Sequence, residues 1–230
     1  METFAVSAKN EEKVQEVKET ARPLGFVHEP ESPDFVVSVG GDGTFLIAER
    51  KMPGIPKLLV RDSLICYKCH DEPLEEMFHI IREGRWRIVE MMKLRGEAQD
   101  WSALAVNEIV VRNVDPRHAL RFHLTIDGER VGETLIGDGI IVSTPFGSTG
   151  YYRSVARETF SEGIGVGFNN VTEPRAPLSP GEDAEIALEI VRGTAHLSAD
   201  NHPNVAECGE GTRVRVGRAR NEKARLVGHE

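Results

Sequence analysis

The first 84 residues alternate short apolar runs with stretches in which apolar residues recur every three or four positions. The short runs predict buried strands at 3–8, 35–39 and 57–60. The recurring pattern predicts amphipathic helices after Asn10, which is suited to cap one, within 40–51, and from Leu74 to a stop at Gly84. This β-α-β-α-β-α order predicts an open α/β layer.

The pattern changes after Trp86, where predicted strands follow one another without intervening helices. They cover residues 86–95, 101–112, 118–126, 130–136 and 139–144, and later 163–168, 184–191 and 194–199. Asp127-Gly128 lies between two alternating segments and predicts a tight hairpin.

These patterns predict an α/β N-terminal domain over residues 1–84 and a β-rich, β-sandwich-like C-terminal domain over residues 85–230. A chain of 230 residues is long enough to bury a sizeable core. The charged stretch after Asn221 is expected to fray.

The net charge of −9 argues against a general binder of nucleic acid or of anionic membranes. Nucleotide substrates stay compatible with it, because backbone amides and a divalent cation can hold their phosphates. No apolar stretch is long enough to span a bilayer, and the N-terminal residues lack the basic and apolar regions of a signal peptide. We therefore expect a cytoplasmic protein without nucleic-acid or membrane partners.

Cys66, Cys69 and His70 form a C-x-x-C-H pattern, the spacing of c-type haem attachment. Haem attachment of this kind normally belongs to exported proteins, and a zinc site would need a fourth ligand such as Cys208. We therefore expect incidental, reduced cysteines and no metal held by protein residues.

A glycine-rich turn, Gly40-Gly41-Asp42-Gly43-Thr44, stands between a predicted strand and a predicted helix. Glycines let the backbone approach a ligand closely, and the N–H groups at a helix start favour a phosphate. A carboxylate beside a phosphate would have to take a proton or hold a metal. The structural alternative is a plain turn in which Asp42 or Thr44 caps the helix.

Two further segments place polar residues in apolar surroundings. Asn107 and Glu108 interrupt an apolar strand, where an unpaired charge is costly. They predict recognition of hydroxyl and amine groups or, alternatively, a strand-end pair satisfied by the backbone. Residues 137–151 lead from a strand into a loop of small and hydroxylated residues that ends at Tyr151. This loop is suited to a planar ligand, although Asp138-Gly139 alone would be only a turn.

Three elements in this order resemble the NAD kinase family: the turn at 40–44, the Asn107-Glu108 pair, and Asp138-Gly139 followed by the Thr-Pro-Phe-Gly-Ser-Thr-Gly-Tyr run at 144–151. The first element is also similar to the motif of diacylglycerol and sphingosine kinases and of phosphofructokinases. The order, spacing and layout are those of NAD kinases, and the resemblance is firm over about residues 35–155.

The resemblance implies a role for each matching residue. Asp42 would be catalytic: it would orient and deprotonate the adenosine-ribose 2′-hydroxyl of NAD, alone or with the help of a metal. The other implied contacts are Gly40, Gly41, Gly43 and Thr44 for phosphates, Asn107 and Glu108 for adenosine, Thr144, Ser148, Thr149 and Tyr151 at the adenine, Asp138 near the nicotinamide riboside, and Asp200 elsewhere in the nucleotide site.

The resemblance also implies Mg²⁺ or another divalent cation, ATP or polyphosphate as phosphoryl donor, and a homo-oligomer, either a dimer or a tetramer. No Walker A sequence is present, and phosphoryl transfer can proceed by positioning and charge neutralisation without one.

Three segments depart from the family pattern. Residues 58–65 contain no Gly-x-Asn-x-Gly-type element, residues 153–159 lack a Ser-Ala-Gly-Gly-Pro-like run, and the late Asp-Gly-Gln-like element is present only as Asp200-Asn201-His202. These departures leave two alternatives open: a kinase of the same fold acting on another hydroxylated metabolite, and a nucleotide-binding regulatory protein without catalysis.

Overall fold

The computed structural model describes residues 1–63, 68–70 and 72–229 and divides into two compact units. The first unit comprises Met1–Met91 and Lys223–Glu230, and the second comprises Met92–Glu222. The predicted boundary lies between residues 84 and 85, whereas the observed one lies between residues 91 and 92. The observed division also differs at the C-terminus. It returns the C-terminal residues to the first unit, because the pairing of a distant strand is not encoded in local sequence.

The first unit is an α/β layer. Its elements are β1 (Thr3–Ser7), α1 (Glu11–Ala21), a 3-10 turn (Arg22–Leu24), β2 (Val27–His28), β3 (Phe35–Gly40), α2 (Asp42–Lys51), β4 (Lys57–Arg61) and α3 (Leu74–Arg82). These strands are parallel in the order β4-β3-β1-β2. Every residue of β3 is buried, as expected of a parallel strand covered on both faces. The predicted cap is confirmed, since the Asn10 side chain accepts a hydrogen bond from the backbone N–H of Lys13 at 3.0 Å.

The remaining elements are β5 (Trp86–Ala98), β6 (Trp101–Ala105), β7 (Glu108–Asn113), β8 (Leu120–Ile126), β9 (Glu129–Arg130), β10 (Leu135–Gly137), β11 (Gly139–Ser143), a 3-10 turn (Gly147–Thr149), α4 (Tyr151–Ala156), β12 (Gly165–Asn169), β13 (Ile186–Arg192), β14 (Ala195–Ala199), β15 (Ala206–Cys208) and β16 (Arg213–His229). The predicted hairpin is confirmed, because Asp127 and Gly128 both have positive φ, at 52° and 81°. The single strand expected at 101–112 is instead two strands with a break at Val106 and Asn107.

The second unit is a sandwich of two sheets around one core. One sheet has the order β12-β11-β7-β14-β15, and the facing sheet contains β10-β8-β13-β16. Ile109 and Val142 from the first sheet share a core cluster with Phe122 and Leu188 from the other. The predicted β-sandwich-like domain is therefore confirmed.

The C-terminal stretch is not frayed, and that expectation is wrong. Lys223 and Arg225 of β16 form ion pairs with Glu90, and Ala224 and Val227 between and beyond them are buried. Charged and small apolar residues alternate in this segment, as they do in a strand with one exposed face. The expectation of fraying considered the high charge of the segment and not this alternation.

Cys69 is disulfide-bonded, so the expectation that all three cysteines are reduced is wrong for this residue. Cys208 is a free thiol buried in the sandwich core, where burial raises its pKa. Cys66 lies outside the described residues. Within the described ranges, no helix combines the length and apolar character needed to cross a membrane.

Candidate functional site

The predicted glycine-rich turn joins β3 to α2 in the first unit. Gly40 has a φ of 154°, and a Cβ at this position would lie 2.2 Å from Thr44 Oγ1. Gly41 is the residue that precedes α2, so neither Asp42 nor Thr44 is its N-terminal cap. The structural alternative, in which Asp42 or Thr44 caps the helix, is therefore wrong. Gly43 is exposed at the helix start, where N–H groups favour an anion.

Asp42 occupies the first position of α2, and burial raises the pKa of its carboxyl above the ordinary value. The positive charge of Lys68 opposes this shift. A partly buried carboxylate with a raised pKa at a helix start is a candidate proton acceptor.

Lys68 is a residue that sequence reasoning missed. Its neighbour Cys69 places Sγ 3.6 Å from the carbonyl oxygen of Gly40, which brings this segment against the glycine turn. The C-x-x-C-H pattern drew attention to the cysteines rather than to the lysine between them. Residues 64 and 65 of the departing segment 58–65 lie outside the described residues.

Asn107 and Glu108 lie in the second unit, at the break between β6 and β7. Asp200 holds this break open: its Oδ2 accepts from the N–H of Val106 at 2.8 Å, and its Oδ1 accepts from the N–H groups of Asn107 at 2.8 Å and Glu108 at 3.0 Å. Burial raises the pKa of Asp200, and these three hydrogen bonds oppose the shift. Both carboxylate oxygens of Asp200 therefore bind the backbone that presents the Asn107-Glu108 pair.

The loop at 144–151 is fastened to the same backbone. Thr144 donates its N–H to the carbonyl of Asn107 at 2.9 Å and its hydroxyl to the carbonyl of Val106 at 2.5 Å. Gly147 packs so closely that a Cβ would lie 2.2 Å from the Asn107 carbonyl oxygen. Only glycine fits at this contact, which explains its place in the run.

Polar atoms converge where this loop meets the pair. A methyl group at Gly150 would lie 3.7 Å from Glu108 Oε2 and 4.0 Å from Asn107 Nδ2. Asn107 Oδ1 is buried and has no hydrogen-bond partner among the described residues. A buried amide oxygen without a protein partner is available to accept a hydrogen bond from a water or a ligand.

The other predicted residues lie nearby but have partners of their own. The buried Ser148 hydroxyl lies 2.8 Å from the carbonyl oxygen of Pro145 and 3.1 Å from that of Phe160, whereas Thr149 is partly exposed. The hydroxyl of Tyr151 accepts from Asn169 at 3.3 Å.

Asp138 begins the turn before β11 and is held by two amides. Its Oδ1 accepts from Asn113 and its Oδ2 from Asn170, each at 3.1 Å. Asp138 also donates its N–H to the carbonyl of Asn169, the residue that binds Tyr151. Asp138 and Tyr151 therefore lie on the same part of the second unit.

Over residues 1–63, 68–70 and 72–229, no cluster of three or more His, Cys, Asp or Glu side chains could hold a metal ion. Mg²⁺ usually keeps phosphate and water oxygens among its ligands.

Residues 106–159 match the ATP-NAD kinase C-terminal domain, and this segment contains the Asn107-Glu108 pair, Asp138 and the loop at 144–151. The NAD kinase of Thermococcus sibiricus is 37% identical over 122 residues, which are 51% of this chain and 44% of that protein. The NAD kinase of Bacteroides fragilis is 28% identical over 204 residues, covering 81% and 68%. The chain spans about half the length of the archaeal relatives that it matches.

Two solved structures have the same fold. The NAD kinase from Archaeoglobus fulgidus in complex with ATP superimposes with a TM-score of 0.83 at 22% identity, covering 99% of this chain and 94% of that chain. Yeast NADH kinase complexed with NADH gives a TM-score of 0.81 at 18% identity, covering 100% and 84%. The chain therefore has the fold of NAD and NADH kinases. Together with the matching segment, this confirms the predicted resemblance to the NAD kinase family.

Proposed function

We propose that this chain is an NAD kinase, which transfers a phosphoryl group from ATP or polyphosphate to the adenosine-ribose 2′-hydroxyl of NAD. One observation carries the proposal: the loop at 144–151 is fastened to the Asn107-Glu108 backbone within the segment that matches the kinase domain, and it leaves the buried Asn107 Oδ1 for a ligand.

The glycine turn is proposed to bind the phosphates of the donor through its backbone N–H groups. Asp42 is proposed to orient the 2′-hydroxyl and to accept its proton as the 2′-oxygen bonds to the terminal phosphorus of the donor. The bond from that phosphorus to the bridging oxygen breaks in the same transfer, and ADP or a shortened polyphosphate leaves. Its raised pKa supports this role, since a stronger base is a better proton acceptor. Lys68, whose charge acts on Asp42, would also attract the donor phosphates.

A divalent cation, Mg²⁺ in the first instance, fits this arrangement. Mg²⁺ is commonly bound by one or two carboxylates together with substrate phosphates and water. Phosphate and water oxygens would hold the ion at the turn beside Asp42, and the ion would neutralise charge on the phosphoryl group when bound.

The second unit is proposed to bind NAD. Asn107 and Glu108 would bind adenosine hydroxyl and amine groups, and Thr144, Ser148, Thr149 and Tyr151 would shape the adenine site. Asp138 would lie near the nicotinamide riboside. The contacts of Asp200 support a positioning role, through the backbone of residues 106–108, rather than direct contact with NAD.

A cytoplasmic location and assembly into a dimer or tetramer stay predictions. Subcellular fractionation of the source cells tests the first, and light scattering of the purified protein tests the second.

The proposed activity is tested by incubating purified protein and Mg²⁺ with NAD or NADH, and with ATP or polyphosphate as separate donors. We expect NADP or NADPH with at least one donor. Absence of product in all four combinations would reject NAD as acceptor and favour another hydroxylated metabolite or a regulatory role.

Replacing Glu108 by glutamine keeps the side-chain volume and removes the charge. We expect affinity for NAD to fall roughly ten- to a hundred-fold, because a charge-assisted hydrogen bond contributes about 1.5–3 kcal/mol. Donor affinity should change much less. Separate titrations of NAD and ATP measure both, with the exposed Glu185→Gln variant of the same unit as control. A lower melting temperature with an unchanged Kd for NAD would instead identify a structural strand-end pair.

A further inference from the structure

A cavity of about 600 Å³ opens in the second unit, apart from the residues assigned above. Its walls come from the β7–β8 loop, β10, and the turn between β13 and β14. Its lining includes Leu120, Arg121, Ile136, Arg192, Glu207 and Glu210. A concave space of this size suits a small molecule of nucleotide dimensions. We refer to it as the Arg121–Arg192 cavity.

Two arginines stand side by side in its wall. Arg192 of β13 is paired with Arg121 of β8, next to a register shift after Ile190. Side chains directly opposite on antiparallel strands have Cβ atoms roughly 5 Å apart, and like charges in that position are destabilising. Within the described part of the chain, neither guanidinium forms an ion pair or side-chain hydrogen bond that would offset this repulsion. An anion bound between them would offset it.

The acidic residues of the lining are mostly engaged elsewhere. Asp115 binds Arg117 at 2.7 Å and His118 at 3.1 Å, and these partners hold the pKa of its carboxyl well below the usual range. Glu210 accepts from the N–H of Gly193 at 3.2 Å. Neither Asp115 nor Glu210 forms an ion pair with Arg121 or Arg192 in the described part of the chain.

The chemistry of the lining selects one ligand class. Arginine forks bind phosphate oxygens in pairs, the partly exposed Ile136 side chain opposite Arg121 offers an apolar contact for a base, and Glu207 offers an acceptor for a hydroxyl or amine. A phosphate chain, alone or as part of a nucleotide, satisfies the first of these features, and a nucleotide satisfies all three.

One buried side chain links this cavity to the proposed NAD site. The Asn113 amide nitrogen lies 3.1 Å from each of three acceptors: the carbonyl oxygens of Asp115 and His118 in the cavity loop, and Oδ1 of Asp138. A ligand that fixes the cavity loop would therefore also bias the position of Asp138.

We propose that the Arg121–Arg192 cavity is a second binding site, which takes the phosphate chain of a nucleotide or an inorganic polyphosphate and acts on Asp138 through Asn113. Binding at the cavity is independent of the proposed function, whereas its effect on Asp138 rests on that function.

Hydrogen exchange measured by mass spectrometry on the full chain tests this site. The probes are inorganic tripolyphosphate, ATP, and adenosine as the phosphate-free arm. We expect both phosphate compounds to slow exchange at residues 114–121 and 192–194, and adenosine to have no effect. Equal affinities for tripolyphosphate and ATP would assign recognition to the phosphate chain alone, and tighter binding of ATP would add the base. Absence of protection at these residues with both phosphate compounds overturns the proposal.

In the Arg121→Gln/Arg192→Gln double variant, the concentration of tripolyphosphate or ATP that gives half-maximal protection should rise at least about 10-fold. The exposed Arg130→Ala variant on β9 is the matched control and should behave as wild type. The Arg121→Lys/Arg192→Lys variant keeps both charges and should retain part of the affinity. Retained binding in this variant would show that substitution at these two positions does not disrupt the fold. Unchanged protection in the glutamine variant would show that Arg121 and Arg192 do not bind the phosphate chain, and it overturns the proposal.

The same experiment separates this inference from the proposed function. Protection by ATP at residues 40–44 alone would support donor binding at the glycine turn and overturn the cavity site. Protection at 114–121 in a protein that forms no NADP would support the cavity site while the proposed function fails.

Discussion

Replacing Asp42 by asparagine is expected to lower kcat by about 10²–10⁴-fold, the usual cost of losing a general base. Asparagine keeps the shape of the side chain at the start of α2 but cannot accept the proton of the 2′-hydroxyl. Binding of ATP and NAD should survive within a few-fold, because backbone N–H groups hold the phosphates. Steady-state kinetics together with direct titration of each nucleotide measure the two effects separately.

The pH profile gives this prediction a second measurement. Burial raises the pKa of Asp42 above 3.8, so the active carboxylate is lost as the pH falls through that raised value. Wild-type kcat should therefore decline on acidification, and the asparagine variant should lack this limb. Asp62 is the control: its side chain is exposed and its N–H binds the Gly40 carbonyl, so Asp62→Asn should leave kcat and the limb unchanged. If the Asp42→Asn variant keeps a kcat near that of the wild type, Asp42 is not the general base.

Replacing Asp200 by alanine is expected to destabilise the chain and weaken NAD binding together. The change leaves the N–H groups of residues 106–108 without their acceptor, and each unsatisfied buried donor costs about 1–3 kcal/mol. Alanine is also poorly suited to the φ of 48° at this position. A total loss of about 3 kcal/mol would lower Tm by roughly 6–12 °C in a chain of this size.

Asp200→Asn is the matched variant, because asparagine tolerates positive φ and keeps one oxygen acceptor. We expect it to fall between wild type and Asp200→Ala in both Tm and NAD affinity. Donor affinity should be unchanged in both variants, since the glycine turn belongs to the other unit. A wild-type melting curve for Asp200→Ala would show that the three hydrogen bonds do not hold the Asn107-Glu108 break.

The local elements of this chain were predictable from sequence because they depend on consecutive residues. The apolar run at 35–39 followed by the glycine turn defines a buried strand, a close approach and a helix start, and the structure contains all three. Asp127-Gly128 required positive φ and has it. The motif residues around Asn107 and the loop at 144–151 were likewise readable, because their order along the chain carries the resemblance.

The contacts between distant segments were decided by the tertiary structure. The sequence placed Asn107 and Glu108 within one strand, whereas Asp200, almost a hundred residues later, accepts from the backbone there and holds the break between two strands. Lys68 reaches the glycine turn and Arg121 stands beside Arg192 for the same reason. Periodicity and glycine stereochemistry are properties of neighbouring residues. Which remote side chain meets a given backbone depends on how the sheets pair and bury their apolar faces, and a local pattern does not contain that information.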